Sequence, residues 1–154
     1  MTAAQYDVVG IGNAIVDVIS PADDAFIAAK KLAKGAMTLI DEEQAEALYA
    51  AMGPGTESSG GSAANTMAGI ASLGGTGAFF GKVRNDQLGQ VFAHDMRAIG
   101  VSFDSKPATA GPSTARCLIL VTPDAQRTMN TYLGACVNLG PGDVDEAVVK
   151  NARV

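Results

Sequence analysis

Short apolar segments alternate with helical segments along the first hundred residues of the chain. YDVVGIG (6–12) and GAFFGKV (77–83) have the apolar composition and flanking glycines of buried strands. Between them, Asp41 and Gln44 form a capping-box pattern, which predicts the start of a helix. Strands that alternate with helices favour a parallel sheet with helical crossovers. The sequence therefore predicts an α/β fold.

The other elements of this part follow from caps, glycines and the distribution of charge. Helices are predicted over 22–34, 42–52, 62–73 and 87–99, and short strands over 36–40 and 101–105. The segment GPGTESSGG (53–61) is predicted to be a loop because of its composition.

The pattern changes after residue 105. Residues 114–122 and 127–133 predict two strands joined by a tight turn, with no helix between them. Pro141 begins a last predicted helix, and Val154 stands where a further strand would begin. A sheet of this kind normally continues, so we expect the sequence to cover the first part of a larger fold.

Composition and charge restrict the class of protein. The 154 residues, 47% of them hydrophobic, suffice for one sizeable core, which the low aromatic content of 5% predicts to be built from Ala, Val, Ile, Leu and Met. The net charge of −5 argues against a nucleic-acid partner. No apolar run approaches the ~20 residues needed to cross a membrane.

The N-terminal segment MTAAQYDVVGIGN lacks the basic and apolar regions of a secretory signal, which predicts a cytoplasmic protein. In that compartment Cys117 and Cys136 are expected to be reduced and buried, with a disulfide between them as the alternative.

Two glycine motifs are incomplete. GIG (10–12) follows a strand, but a dinucleotide fingerprint needs a third glycine where Ile15 stands. Gly81-Lys82 suggests a phosphate loop, but Thr76 and Val83 occupy positions that this motif reserves for other residues. Neither site is predicted, and Lys82 is expected to be an exposed residue at a strand end.

Asp17 and Asn13 follow the first predicted strand. In open α/β sheets ligands gather beyond the carboxyl ends of strands, and a carboxylate there can accept hydrogen bonds from two hydroxyl groups. A turn or cap residue is the alternative, which the spacing alone favours.

Gly60 and Gly61 precede a helix of small residues that carries Asn65. Glycines allow a backbone to approach a ligand closely, and the free N–H groups of a helix start would point towards the same crevice. A glycine loop before a tightly packed helix is an equal alternative.

Single basic residues indicate a functional site less clearly than the glycines and Asp17 do. Arg127 follows the turn of the predicted hairpin, where an arginine can contact an anion such as a phosphate. Arg84 and Arg116 have the same two interpretations, anion contact or ordinary surface residue. His94, within a predicted helix, is expected to be solvated or structural.

Four segments together resemble the ribokinase-like (PfkB-type) carbohydrate kinases. They are GIGNAIVD, GGSAANTMAGIASLGG, FFGKVRNDQLG and PDAQRTMNTYLGA, which stand in the family's order. The resemblance extends over nearly all of residues 1–154, corresponds to the N-terminal half of the family, and is strongest to its bacterial adenosine-kinase-like branch. It implies a parallel sheet with flanking helices and a small β-sheet lid, with lid segments near 14–20, 36–40 and 114–133.

The resemblance also implies a function. Family members transfer the γ-phosphoryl group of ATP to a hydroxyl of a sugar or nucleoside, with Mg²⁺ and, in some members, a monovalent cation as cofactors. Arg127 would come near the phosphoryl group, and lid strands would allow a homodimer. The residues implied to hold the substrate are Asn13, Asp17, Gly60, Gly61, Ser62 and Asn65.

Three departures from the family pattern bear on this expectation. Met67 and Arg84 stand where the family prefers a smaller residue, which leaves the substrate open. No GAGD-like string supplies the family's anion hole and catalytic base. The base and most ATP and Mg²⁺ contacts are therefore expected in a C-terminal half, no metal site is predicted here, and the chain alone is expected to be inactive. A non-catalytic sugar- or nucleoside-binding module is the alternative.

Overall fold

The computed structural model describes residues 4–154, so the first three residues of the N-terminal segment lie outside the description. The strands are β1 (Val8–Ile11), β2 (Ile15–Pro21), β3 (Met37–Leu39), β4 (Thr56–Gly60), β5 (Gly77–Phe80), β6 (Val101–Ser102), β7 (Ala115–Val121) and β8 (Arg127–Tyr132). The helices are α1 (Asp24–Ala29), α2 (Glu42–Ala51), α3 (Ser62–Ser72), α4 (Gln87–Ala98) and α5 (Glu146–Lys150). Two 3₁₀ turns, Gly134–Asn138 and Pro141–Asp143, precede α5.

The first sheet is parallel and has the strand order β1-β5-β6. All four residues of β5 are buried, as expected of a strand covered on both faces. Helices α3 and α4 pack against this sheet and enclose the larger core. At its centre Phe79, Phe92 and Phe103 contact one another with ring centroids 5.1–6.1 Å apart. The expectation of a purely aliphatic core is therefore wrong.

The second sheet has the strand order β3-β8-β7-β2-β4. Strands β7 and β8 form the predicted antiparallel hairpin, while β2 pairs in parallel with β7 and antiparallel with β4. One face packs against α1 and α2 through a cluster that includes Val18, Ile27, Leu48 and Leu118. We call this the back face. The opposite face, which carries Asp17, is called the open face.

The parallel sheet predicted for the first hundred residues is wrong in part, because β2, β3 and β4 belong to the second sheet. The loop predicted over 53–61 is also wrong in part. Residues 56–60 form β4 because their backbone groups pair with β2, from Ile15 opposite Gly60 to Ile19 opposite Thr56. Pairing with a distant segment thus outweighs the loop composition of the segment itself.

Helix α1 is shorter than the predicted span of 22–34. Its last residue is Ala29, Lys30 is its C-cap, and Lys31 adopts a left-handed conformation with φ of 54°. The N–H of Leu32 then donates to the carbonyl oxygen of Ile27 at 3.0 Å, which is the pattern of a Schellman cap. The turn brings Leu32 back onto the back-face cluster, so burial of one leucine ends the helix.

The C-terminal segment differs from the prediction at its start and agrees at its end. Pro141 opens a 3₁₀ turn, and the helix itself begins at Glu146, where Asp145 caps it. Beyond α5, the N–H of Val9 donates to the carbonyl oxygen of Val154 at 2.7 Å. Residues 152–154 thus lie beside β1, where a further strand was predicted to begin.

The segments 14–20, 36–40 and 114–133 all contribute strands to the second sheet, together with β4. That this sheet acts as a lid stays a prediction. Within residues 4–154, no helix has the length and apolar character that crossing a membrane requires.

Candidate functional site

The site lies where the two sheets meet. Strand β1 ends at Ile11, and three residues (12–14) lead directly into β2, which carries Asp17 on the open face. On the other side of β2, strand β4 ends at Gly60 and leads through Gly61 into α3. The carboxyl end of a parallel strand and the start of a helix therefore border the same crevice.

Asp17 lies directly over Gly60. A Cβ atom built on Gly60 would lie 2.3 Å from the Asp17 Cγ and 2.4–2.5 Å from both carboxylate oxygens. Real Cβ atoms do not approach that closely, so the carboxylate occupies the space that any other residue at position 60 would need. The glycine predicted to allow close approach is thus required, in the first place, by the carboxylate of this chain.

The carboxylate of Asp17 is half-buried and accepts no hydrogen bond from the part of the chain that the structure describes. Burial alone raises its pKa above the ordinary value of 3.8. A buried carboxylate without a donor is costly, and hydroxyl groups of a ligand would supply the missing donors.

Gly61 adopts a conformation that favours glycine. Its φ is 90°, and a Cβ on it would lie 2.8 Å from the carbonyl oxygen of Asn13. It forms the N-cap of α3 without a side-chain cap, so the first N–H groups of the helix are not covered by a cap side chain. The two adjacent glycines thus hold the loop of Asn13 against the open start of α3.

The remaining predicted substrate residues lie at the same place. Ser62 is the first residue of α3 and Asn65 lies about one turn further on; both side chains are exposed, as is that of Asn13. The structure therefore brings Asn13, Gly60, Gly61 and Asp17 into contact and places Ser62 and Asn65 next to them. Their role in binding a substrate is not tested by this placement and stays a prediction.

The open face carries an apolar surface beside Asp17 that the sequence did not indicate. Four residues of neighbouring strands lie opposite one another in register: Ile19, Ile119, Met129 and Met37. The next row contains Asp17, Cys117, Thr131 and Leu39. Three outer members are strongly exposed for apolar side chains: Ile19 at 41%, Met37 at 56% and Leu39 at 59%.

Each strand shows part of this surface in its own period-two pattern. The rows exist only because four strands pair in one register, and that register is not visible in any single segment.

Arg127 lies on the open face but away from Asp17. It is exposed and pairs with Val121, whereas Asp17 pairs with Cys117, four residues earlier on β7. At ~3.3 Å per residue this corresponds to about 13 Å along the sheet. The structure does not bring Arg127 into contact with the glycines, and its role at a phosphoryl group stays a prediction.

Arg84 has a hydrogen-bond partner within the chain, whereas Nε and Nη2 of Arg116 are buried without a hydrogen-bond partner among residues 4–154. Arg84 Nη1 donates to the carbonyl oxygen of Gly111 at 2.5 Å, and the guanidinium carbon of Arg116 lies 5.7 Å from the Tyr132 ring centroid. His94 is exposed.

The expectation that Lys82 is an exposed strand-end residue is wrong. Lys82 forms an ion pair with Asp143, and both side chains are largely buried. The ion pair holds the pKa of Asp143 below its usual value. It links the end of β5 to the turn before α5.

Cys117 and Cys136 are buried free thiols, as expected for reduced cysteines. Burial raises the pKa of both, that of Cys136 to about 11. Among residues 4–154, no group of three or more His, Cys, Asp or Glu side chains is placed to hold a metal ion.

A parallel sheet, a second sheet beside it and a glycine-opened helix at their junction define a ribokinase-like α/β fold. Residues 37–154 match the model of the pfkB family carbohydrate kinases, which is more than half of the chain. The chain belongs to the pfkB family of carbohydrate kinases, as the resemblance of its motifs predicted.

Two solved structures are similar over nearly the whole chain. Adenosine kinase from Sinorhizobium meliloti has a TM-score of 0.89 and 58% sequence identity, over 97% of this chain and 46% of that chain. A probable sugar kinase from Rhizobium etli has a TM-score of 0.90 and 56% identity over the same shares. Among curated proteins, the probable chloroplastic fructokinase-6 of Arabidopsis thaliana is 31% identical over 97 residues, which cover 62% of this chain.

The chain spans about half the length of the two solved kinases and a quarter of the plant relative.

Proposed function

We propose that this chain supplies the substrate-binding part of a kinase that phosphorylates a hydroxyl of a nucleoside, adenosine or a related compound. The observation that carries the proposal is the half-buried carboxylate of Asp17, which lies over Gly60 without a hydrogen-bond donor from residues 4–154. Family membership and the similarity to an adenosine kinase support it.

The residues at the crevice act by binding and orienting. Asp17 accepts hydrogen bonds from two neighbouring hydroxyl groups, while Asn13 and Asn65 offer amide groups to the remaining hydroxyls. The uncapped start of α3 after Gly61 presents backbone N–H groups and the positive end of the helix dipole to the same region. Holding the hydroxyl in place is the main contribution that a protein makes to phosphoryl transfer.

The phosphoryl group would come from ATP with Mg²⁺. Residues 4–154 do not bring together a set of metal ligands, so we assign no step of this chain to the metal. A monovalent cation, the contact of Arg127 with a phosphate, a homodimer through the lid strands and a cytoplasmic location all stay predictions.

The apolar rows of the open face favour a nucleoside over a free sugar. A free sugar is covered with hydroxyl groups, whereas a nucleoside adds a flat base that gains from contact with the accessible side chains of Ile19 and Met129. The surface lies immediately beside Asp17, as a ligand with a polar ribose and an apolar base requires.

Calorimetric titration of the protein with adenosine, fructose and ribose tests this proposal. We expect saturable binding of adenosine and at least ~10-fold weaker binding of both free sugars, because these lack the base. Tighter binding of fructose than of adenosine would refute the nucleoside assignment. Absence of binding by all three would refute a substrate-binding role for this crevice.

The Asp17→Asn substitution is expected to weaken adenosine binding by at least ~10-fold, since charge-assisted hydrogen bonds contribute about 1.5–3 kcal/mol each. Affinity in the unsubstituted protein should fall as pH is lowered through the raised pKa of Asp17, because the protonated carboxyl loses an acceptor. In the Asp17→Asn variant, the affinity for adenosine should be independent of pH where Asp17 titrates in the unsubstituted protein. Titrations from the ordinary pKa of 3.8 up to neutral pH measure both effects.

The free energy of unfolding should depend on pH in the opposite sense to the affinity for adenosine. Because the folded state binds the Asp17 proton more tightly than the unfolded state, the free energy of unfolding falls as pH rises from the ordinary to the raised pKa. Asp17→Asn removes this loss, so we expect a higher melting temperature at neutral pH. A lower melting temperature with unchanged affinity would assign Asp17 a purely structural role.

The second candidate function is a non-catalytic module that binds a sugar or nucleoside. Adenosine binding without ADP release in a coupled assay with ATP and Mg²⁺ would support it.

A further inference from the structure

Asp95 lies on α4, the helix that packs against the first sheet, yet its side chain contacts the second sheet. Its Oδ2 accepts a hydrogen bond from the backbone N–H of Ser59 at 2.8 Å, and its Oδ1 lies 3.3 Å from Nδ1 of the exposed His94. Ser59 belongs to β4 and directly precedes Gly60. A helix of one layer therefore holds the strand that leads into the crevice of Asp17.

Strand β4 is the outer strand of the second sheet, so one side of its backbone has no neighbouring strand. The N–H of Ser59 points to that side, and Ser59 is half-buried, so this donor needs an acceptor. A carboxylate is a strong acceptor for a backbone N–H group. Asp95 therefore does at this edge what a further strand would do.

Asp86 makes a matching contact at the other end of α4. Its Oδ2 accepts from the N–H of Thr114, the residue before β7, at 2.9 Å. Strands β7 and β4 are the two neighbours of β2, which carries Asp17. The nine residues from Asp86 to Asp95 correspond to about 13–14 Å of helix, and β7 and β4 are two strand spacings, about 10 Å, apart. One helix can therefore hold both neighbours of β2.

We propose that Asp95 is a positioning residue for the substrate, because its hold on β4 keeps Gly60 beneath the Asp17 carboxylate. This inference rests on the proposed function, in which that carboxylate binds hydroxyl groups of adenosine. The carboxylate packs directly on the backbone of Gly60, so a displacement of β4 moves the surface that supports it. Asp95 acts through this strand and not by contact with the ligand.

The pKa of Asp17 in the free protein reports the position of β4, because burial raises this pKa above the ordinary value of 3.8. We expect Asp95→Ala to lower it towards 3.8, since a displaced β4 exposes the carboxylate to water. Asp95→Asn should keep the raised pKa, because an amide oxygen accepts the same hydrogen bond. NMR titration of the Asp17 carboxyl ¹³C signal measures both. Loss of the charge at position 95 alone would lower the pKa equally in the two variants.

The affinity for adenosine is the second measurement, by calorimetry well below the melting temperature of every variant. Asp95→Ala should weaken binding about 10-fold, since misplacing a group by ~1 Å can cost up to ~100-fold. Asp95→Asn should weaken it less than ~3-fold. Asp145→Ala is the matched control, because Asp145 also accepts from a backbone N–H, that of Ala147 at the start of α5. It should leave the affinity unchanged.

A double-mutant cycle separates positioning from a general loosening of the fold. If Asp95 acts through the Asp17 carboxylate, Asp95→Ala should weaken adenosine binding by less than ~2-fold in an Asp17→Ala background. A general loosening of the crevice would cost about 10-fold in both backgrounds.

Any one of four results overturns the proposal: an unchanged pKa of Asp17 in Asp95→Ala, an unchanged affinity in that variant, equal effects of Asp95→Asn and Asp95→Ala, or equal losses of affinity in the two backgrounds of the cycle. The NMR titration needs no ligand. If the unsubstituted protein does not bind adenosine, the proposed function fails, and the pKa of Asp17 in the two variants still decides whether Asp95 holds β4 beneath the carboxylate.

Discussion

Replacing Gly60 by alanine is expected to weaken binding of adenosine by on the order of 100-fold. The new Cβ would lie 2.3–2.5 Å from all three atoms of the Asp17 carboxyl group, so the carboxylate must leave its position. It would then lose both hydrogen bonds to the ligand, at about 1.5–3 kcal/mol each. Calorimetric titration measures the loss.

Gly69→Ala is the matched control for this substitution. Gly69 lies within α3, nine residues after Gly60, and a Cβ on it would meet no atom within 4 Å. We expect unchanged binding and a small gain in stability of about 0.5–1 kcal/mol, because alanine is a better helix former than glycine.

A double-mutant cycle tests the contact between the two residues. If the new methyl group clashes with the Asp17 carboxylate, the Gly60→Ala substitution should cost less stability in an Asp17→Ala background, where the space is free. Equal costs in both backgrounds, or adenosine binding retained by Gly60→Ala, would show that position 60 tolerates a side chain and that the carboxylate need not lie over it.

Local signals in the sequence were sufficient for much of the fold. The capping box of Asp41 and Gln44 is present, with hydrogen bonds of 2.8 and 3.1 Å in the two directions. Such caps are decided by residues three positions apart. The hairpin of β7 and β8 is also local, since a tight turn brings its own two strands together.

Long-range pairing explains what the sequence did not predict. Strand β4 (TESSG) has the composition of a loop and becomes a strand because β2 pairs with it. Helix α1 stops early because Leu32 packs on a cluster formed by distant strands. The rows of the open face require four strands in one register, and the backbone torsions of each strand alone do not specify that register.

The candidate site also combines features that local sequence indicates with contacts that only long-range strand pairing creates. Its glycines and Asp17 could be named as candidates from the sequence, although local spacing alone favoured a turn or cap role for Asp17, which the structure places within β2. That Asp17 lies over Gly60 depends on the antiparallel register of β2 and β4, which places Ile15 opposite Gly60. Residues that meet only through tertiary pairing, such as Lys82 with Asp143, were assigned wrongly for the same reason.

The Asp86→Ala substitution is expected to lower the free energy of unfolding by about 3 kcal/mol. Asp86 Oδ1 accepts from the N–H of Gly89 at 2.8 Å and from Thr114 Oγ1 at 2.6 Å, and Oδ2 accepts from the N–H of Thr114 at 2.9 Å. One carboxylate thus caps α4 and holds the residue before β7. Because Thr114 is fully buried, alanine would leave its N–H group without an acceptor, in addition to removing the cap.

Asp145→Ala provides the comparison, since Asp145 also caps a helix but accepts only from the exposed N–H of Ala147. Urea denaturation of the two variants should give losses of about 3 and at most about 1 kcal/mol. Equal losses would mean that the hydrogen bonds of Asp86 to Thr114 contribute nothing to stability.

A larger loss at Asp86 has a functional consequence, because Ala115 of β7 pairs with Ile15 of β2 two residues before Asp17. The hydrogen bonds between Asp86 and Thr114 therefore help to hold β7, and through its pairing they help to hold β2, which places the Asp17 carboxylate over Gly60.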